Sequence, residues 1–105
     1  MKDLAANEAG AIYNQKAADT NAATAPGTWQ TYDIVYRAAR YDSAGNKTED
    51  ARVTVVWNGR TVHDDVAIEG PTGGGLAEGP ATGPVRLQDH GNKVRFRNIW
   101  VQPLD

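Results

Sequence analysis

The sequence predicts an all-β, antiparallel domain, and three observations carry that expectation. The stretch "TWQTYDIVYRA" alternates side chains with the two-residue period of a strand. The stretch "RVTVVWNGRTVHDDV" joins two β-rich runs through Asn58-Gly59, the pair preferred in a two-residue type I′ turn. The stretch "VRLQDHGNKVRFRNIW", Val85 to Trp100, separates into one polar and one apolar face when folded as a hairpin. Five strands, little helix and no internal repeat are expected.

With 105 residues the chain forms at most one small domain, 1–105, divided into an N-terminal segment and loop (1–27) and a β-sheet core (28–104). A domain this small hides only about two thirds of its unfolded surface, so its core is modest. The composition, 40% hydrophobic and 23% charged, is that of a globular protein. No apolar run approaches the roughly 20 residues that cross a bilayer, so no membrane partner is expected. The net charge of -2 argues against nucleic acid as a general electrostatic partner. The chain has no cysteine, which rules out disulfides, thiolate zinc sites and a cysteine nucleophile. "MKDLAANEAG" lacks the apolar stretch of a signal peptide, so the chain as written is expected in the cytoplasm.

Residues 2–9 are read as a short helix, with Asp3 as N-cap and Gly10 as stop. From Asn14 to Gly27 the sequence is rich in Ala, Asn and Thr and is expected to be a loop. The first strand places Gln30, Tyr32, Ile34 and Tyr36 on one side and Trp29, Thr31, Asp33 and Val35 on the other. Both sides carry aromatic or branched residues, which implies cover on both faces. "YDSAGNKTED" reads as a polar turn region. The Asn58-Gly59 turn pairs Trp57 with Arg60, Val55 with Val62 and Val53 with Asp64, leaving Val56, Thr61, Thr54 and His63 on the opposite face. "EGPTGGGLAEGPATGP" is rich in glycine and holds three of the five prolines; it cannot continue a sheet. Loops of this length in a small domain are usually functional or disordered.

In the last hairpin, a turn at Gly91-Asn92 places Arg86, Gln88, His90, Lys93, Arg95 and Arg97 on one face. Val85, Leu87, Val94, Phe96 and Trp100 share the other, the expected core face. Arg86 opposite Arg97 is a like-charge pair that needs an anion or carboxylate between its members. On the functional reading this is a polar surface where arginines and Gln88 hydrogen-bond a polyhydroxylated or anionic ligand. His90 there acts as acid, base or metal ligand. On the bland reading it is a solvated face, with Asp33 or Glu49 as partners.

His63 beside Asp64 and Asp65 could contribute to a divalent metal site, but alternation lets at most His63 and Asp65 converge, and a surface strand end is expected. Trp57 and Trp100 read as core residues; Tyr13 and Trp29 could either stack on sugar rings or pack. The "GGG" at 73–75 lacks the context of a phosphate loop, and no serine-hydrolase or zincin motif occurs.

"GAIYNQ", "PGTWQTYDIVYRAARYD", "ARVTVVWNG", "VHDDV", "GPTGGG" and "GPVRLQDHGNKVRFRNIWVQPL" together resemble the C-terminal half of the bacterial 3-keto-disaccharide hydrolase domain, formerly a domain of unknown function. The match runs in order from about Gly10 to Leu104. The resemblance implies a concanavalin-like β-sandwich or jelly roll and a carbohydrate ligand, sugars oxidised at carbon 3. It also implies a periplasmic or secreted setting for the full-length domain. Within that family His90 would be the acid/base, with Asp89 shaping the turn or contributing to a metal site. Arg86, Gln88, Arg97, Tyr13 and Trp29 would bind substrate. A possible divalent metal ion is the cofactor expected, and no other is implied. A non-catalytic carbohydrate-binding module and a structural half-domain are the alternatives. Because the resemblance covers half a domain, the sandwich is expected to be completed by a homodimer that buries the apolar sheet faces.

Overall fold

The structure is a computed structural model that describes residues 5, 9–12, 15–71, 78–79, 85, 87 and 94–103. It is all-β and antiparallel, with no helix among the described residues. Among the described residues the strands are β1 (Tyr32–Arg37), β2 (Arg40–Tyr41), β3 (Lys47–Glu49), β4 (Ala51–Trp57) and β5 (Arg60–Ile68). They form a three-stranded sheet ordered β1-β4-β5 and a two-stranded ribbon of β2 and β3. The expected helix at 2–9 falls mostly outside the described residues. Gly10, its expected stop, has a φ of 77° and lies in a turn.

β4 and β5 form because branched residues alternate in both and a strongly specified turn joins them. Asn58 and Gly59 have φ of 51° and 79°, as a type I′ turn demands. Trp57 faces Arg60 as expected, but the register then shifts twice. Val55 pairs with His63 rather than Val62, and Val53 with Val66 rather than Asp64. Each shift adds one residue to β5, the signature of a β-bulge. The first puts Val62 and His63 on the core side together, so both are buried. The second sets Asp64 and Asp65 against Thr54, with Asp65 at a φ of 48°.

β1 pairs with β4 without interruption, Tyr32 opposite Trp57, Ile34 opposite Val55 and Tyr36 opposite Val53. The turn between β2 and β3 closes on Asp42, whose Oδ1 accepts from the amides of Ala44 at 3.0 Å and Asn46 at 2.9 Å. Asp at the first position of a tight turn does this because its short carboxylate reaches the backbone two residues on.

The core lies between one face of β4 and β5 and the segment expected to be only a loop. Ala18 and Ala22 are buried against Val53, Val55, Trp57 and Val62, with Ile12 and Ile68 at the margin. Main-chain and side-chain bonds pin this segment down. Asp19 N–H donates to Val62 O at 2.9 Å, and Asn58 Nδ2 donates to Ala22 O at 2.8 Å. Gln15 makes a reciprocal pair, donating to Gly70 O at 2.8 Å and accepting from Glu69 N at 3.0 Å. Gly10 lies flat on the Trp57 ring: a Cβ there would stand 2.8 Å from Cε3 and Cζ3. Alanines suit this layer because only small side chains let a backbone run this close to the sheet.

The described residues of the expected last hairpin differ from the expectation. Residues 94–103 join no ladder. The apolar residues assigned to a core face are open to solvent: Val85, Leu87, Val94 and Phe96 are all exposed, and Trp100 is 90% exposed. Alternation along this stretch is real, but the core-forming layer is supplied by residues 10–12 and 15–22 instead. The turn of that hairpin, 91–92, lies outside the described residues.

Candidate functional site

The core side of the sheet is closed over β4 and β5, which leaves its outer side as the polar surface. There Asp33, Val35 and Arg37 of β1 lie beside Val56, Thr54 and Arg52 of β4 in register. Arg37 and Arg52 are direct cross-strand partners, a like-charge pair that a sheet tolerates only with compensation. Each has a carboxylate. Arg37 Nη2 donates to Glu49 Oε2 at 3.1 Å, and Arg52 Nε donates to Asp65 Oδ1 at 2.7 Å. Arg52 Nη2 also donates to the Asp65 carbonyl. The hydrogen bond to Asp65, followed by that carboxylate's charge, raises the pKa of the Arg52 guanidinium above its already high ordinary value.

The bulge in β5 explains how Asp65 reaches Arg52. Its positive φ turns the backbone outward, and its N–H is satisfied by Thr54 Oγ1 at 2.9 Å. Bulges commonly re-aim a side chain in this way near functional surfaces. Val35, Arg37, Arg52, Val53, Thr54 and Asp65 line an open hollow of about 280 Å³. Two guanidinium donors, Arg37 and Arg52, and one carboxylate acceptor, Asp65, border it, a combination able to hydrogen-bond adjacent hydroxyl groups.

A second polar feature joins two distant parts of the chain. The Arg97 guanidinium carbon lies 4.0 Å from the centroid of the Trp29 ring, a cation–π stack. Trp29 is presented outward because its neighbour Gln30 is anchored inward. Gln30 Oε1 accepts from Trp57 Nε1 at 3.1 Å and from Asn58 Nδ2 at 3.1 Å. Trp57, thus satisfied, is 1% exposed and stacks on Tyr32 with ring centroids 5.7 Å apart.

A family model for a 3-keto-alpha-glucoside-1,2-lyase-like domain matches residues 2–102. The chain belongs to this family. A crystal structure of a protein from Parabacteroides distasonis ATCC 8503, provisionally described as a glycosyl hydrolase, is 32% identical with a TM-score of 0.63. The similarity covers 73% of this chain and 33% of that one, so the chain spans about a third of that protein's length. No curated protein matches the chain.

Of the site residues expected for this 3-keto-glucoside lyase-like domain, the structure brings together Trp29 and Arg97. Arg86, Gln88, Asp89, His90 and Tyr13 lie outside the described residues. Of the carboxylates suggested as partners of the last hairpin, Glu49 pairs with Arg37, while Arg97 rests on Trp29.

His63 is not at a surface strand end; it is fully buried. Its Nε2 lies 2.7 Å from Gly10 O, and its Nδ1 lies 3.4 Å from Lys16 Nζ. A carbonyl only accepts and an ammonium only donates, so Nε2 carries the hydrogen and Nδ1 accepts. Both ring nitrogens are used in holding the N-terminal segment, while Asp65 faces away toward Arg52. The convergence of His63 and Asp65 that alternation allowed is therefore absent, and so is the surface strand end that was expected. Among the described residues no three His, Asp or Glu side chains gather as a metal site would require. The Arg37–Arg52 pair escaped sequence reasoning. The like-charge argument applied to Arg86 and Arg97 would have found it, had β1 been paired with β4.

Proposed function

We propose that this chain forms part of a carbohydrate-active domain that cleaves the glycosidic bond of 3-keto sugars. The observation that carries the reading is the family match across 2–102, which takes in all the residues of the polar stretch from Arg86 to Arg97. In such a substrate the C3 ketone acidifies the C2 proton. A base removes that proton, and its electron pair forms the C1–C2 double bond as the glycosidic oxygen leaves from C1 and is protonated. Water then adds at C1, and C2 regains a proton. Net hydrolysis results without an oxocarbenium ion. His90 is the acid/base on this proposal, and Arg86 and Gln88 orient the sugar and its enolate oxygen. Asp89 shapes the turn, and Tyr13, Trp29 and Arg97 bound the sugar. The stack of Arg97 on Trp29 supports the last assignment, since it brings an aromatic and a cationic group together at one surface position.

On the same proposal the β1-β4-β5 sheet is one layer of a concanavalin-like sandwich or jelly roll. In support, Tyr32, Ile34 and Tyr36 share the core face yet are 48%, 59% and 58% exposed. That is the part of an inner face that a second layer would cover.

The test is His90→Ala assayed on a 3-keto-glucoside, with circular dichroism as a control for the fold. Loss of product release with an intact fold is expected; unchanged turnover removes His90 from the mechanism. A second reading, a binding module without catalysis, is favoured by the solvent-open hollow between Arg37 and Arg52. It requires saturable sugar binding by calorimetry with no turnover by the parent chain.

A further inference from the structure

β1 is the edge of its sheet, and among the described residues no strand pairs with its outer side. An exposed edge rich in branched and aromatic residues is a template for another strand. Many natural edges are blunted by lysine, proline or a bulge; β1 reads Tyr-Asp-Ile-Val-Tyr-Arg, has none of these, carries one charge of each sign, and all six of its residues are exposed.

The direction of its free main-chain groups follows from the ladder. Asn58 N–H donates to Thr31 O at 2.9 Å, one step before β1 begins. Because the register to β4 is uninterrupted, alternation turns the main-chain groups of Asp33, Val35 and Arg37 toward β4. Those of Tyr32, Ile34 and Tyr36 face the open edge.

We propose that this edge pairs antiparallel with β1 of a second copy, about a two-fold axis passing between the two Val35 residues. That axis sets Ile34 opposite Tyr36 of the partner subunit, twice, so that outward N–H and C=O groups meet outward groups. It keeps the faces matched, Ile34 and Tyr36 on the core side and Val35 on the outer side. It also places Asp33 opposite Arg37 of the partner subunit on both sides of the axis, an opposite-charge cross-strand pair in each case. A two-fold axis at Ile34 would instead set Asp33 against Val35 and leave the charges unmatched. Charge therefore selects both the partner, a second copy of this chain, and the register. Asp33 has no ion-pair partner among the described residues, and the exposed Arg37 guanidinium touches Glu49 with only one of its nitrogens. The product is a continuous sheet of six strands, ordered β5-β4-β1 and its mirror in sequence. This edge-to-edge association differs from the face-to-face packing expected from the sequence, and it does not rest on the glycoside reading.

The chain contains no cysteine, which makes a direct test possible. Opposed residues at a non-hydrogen-bonded antiparallel position have Cα atoms about 4.5 Å apart, within disulfide range. Under mild oxidation Val35→Cys should cross-link into a dimer, whereas Val56→Cys, on the same face but one strand inward, should not. Sedimentation velocity of the full chain from about 1 μM to about 1 mM should show a reversible dimer of the modest affinity that a short interface supports. Asp33→Arg and Arg37→Asp should each raise the dissociation constant about tenfold or more, and the double exchange should restore it. Circular dichroism of each variant at the lowest concentration verifies the monomer fold. A monomer throughout, equal cross-linking of both cysteine variants, or a double exchange that fails to rescue would each overturn the proposal.

Discussion

The buried histidine offers the sharpest test of how the sheet is covered. His63→Ala removes a fully buried ring from between β5 and the N-terminal segment. Two interactions go with it, the donation to Gly10 O at 2.7 Å and the contact with Lys16 Nζ at 3.4 Å. The first is a well-formed hydrogen bond, a net contribution of about 1 kcal/mol; the longer contact adds less. Losing it leaves the Gly10 carbonyl beside Trp57 without its partner, which costs a further 1 to 3 kcal/mol or so. The cavity left by an aromatic-sized side chain adds to this, so about 3 to 5 kcal/mol is expected in total. Against a stability of about 5 to 15 kcal/mol, that is a large fraction. Urea denaturation followed by far-UV circular dichroism and tryptophan fluorescence measures it. A loss below about 1 kcal/mol would refute the reasoning, because such a loss is what a solvent-exposed strand end would give. His63→Gln, which can still donate to Gly10 O, should recover part of the loss.

Two glycines with similar backbones should respond differently to a methyl group. Gly59→Ala, at a φ of 79° with open space around it, should cost about 1 kcal/mol from conformation alone. Gly10→Ala, at 77° and against the Trp57 ring, should cost about 1 to 3 kcal/mol more. Equal losses in thermal or urea unfolding would mean that Gly10 does not touch Trp57. Burial pushes the Tyr32 phenol above its ordinary pKa of 10.0. A group whose folded pKa is raised contributes fully below its unfolded pKa and loses that contribution as pH rises through the folded one. Stability should therefore decline from about pH 10 upward, and Tyr32→Phe should weaken that decline; an unaltered alkaline limb in denaturant titrations would contradict the stacked, half-buried placement.

The strands around Asn58-Gly59 were legible because a turn that needs two positive φ angles leaves few alternatives, and the alternating branched residues on either side agree with it. The same logic found the first strand. It failed at His63 because a bulge has no signature in alternation: one extra residue reverses every face beyond it. The segment from Gly10 to Ala22 escaped because alanine and glycine carry little periodic signal, although their smallness is what lets a backbone lie on Trp57. Residues 94–101 show the opposite case. Their alternation is strong, yet no ladder forms there.

By itself the sequence determined the antiparallel all-β class, the hairpin of β4 and β5, the burial of Trp57 and the family, since each depends on local geometry or on motifs read in order. Only the tertiary structure decided which segment covers the sheet. It also decided that His63 is a structural anchor, that Asp65 meets Arg52, and that Arg37 and Arg52 share a hollow. These depend on register and on contacts between distant residues, such as the 53 positions separating Gly10 from His63. Alternation along a chain sorts side chains to two faces, but it carries no information on what lies against either one.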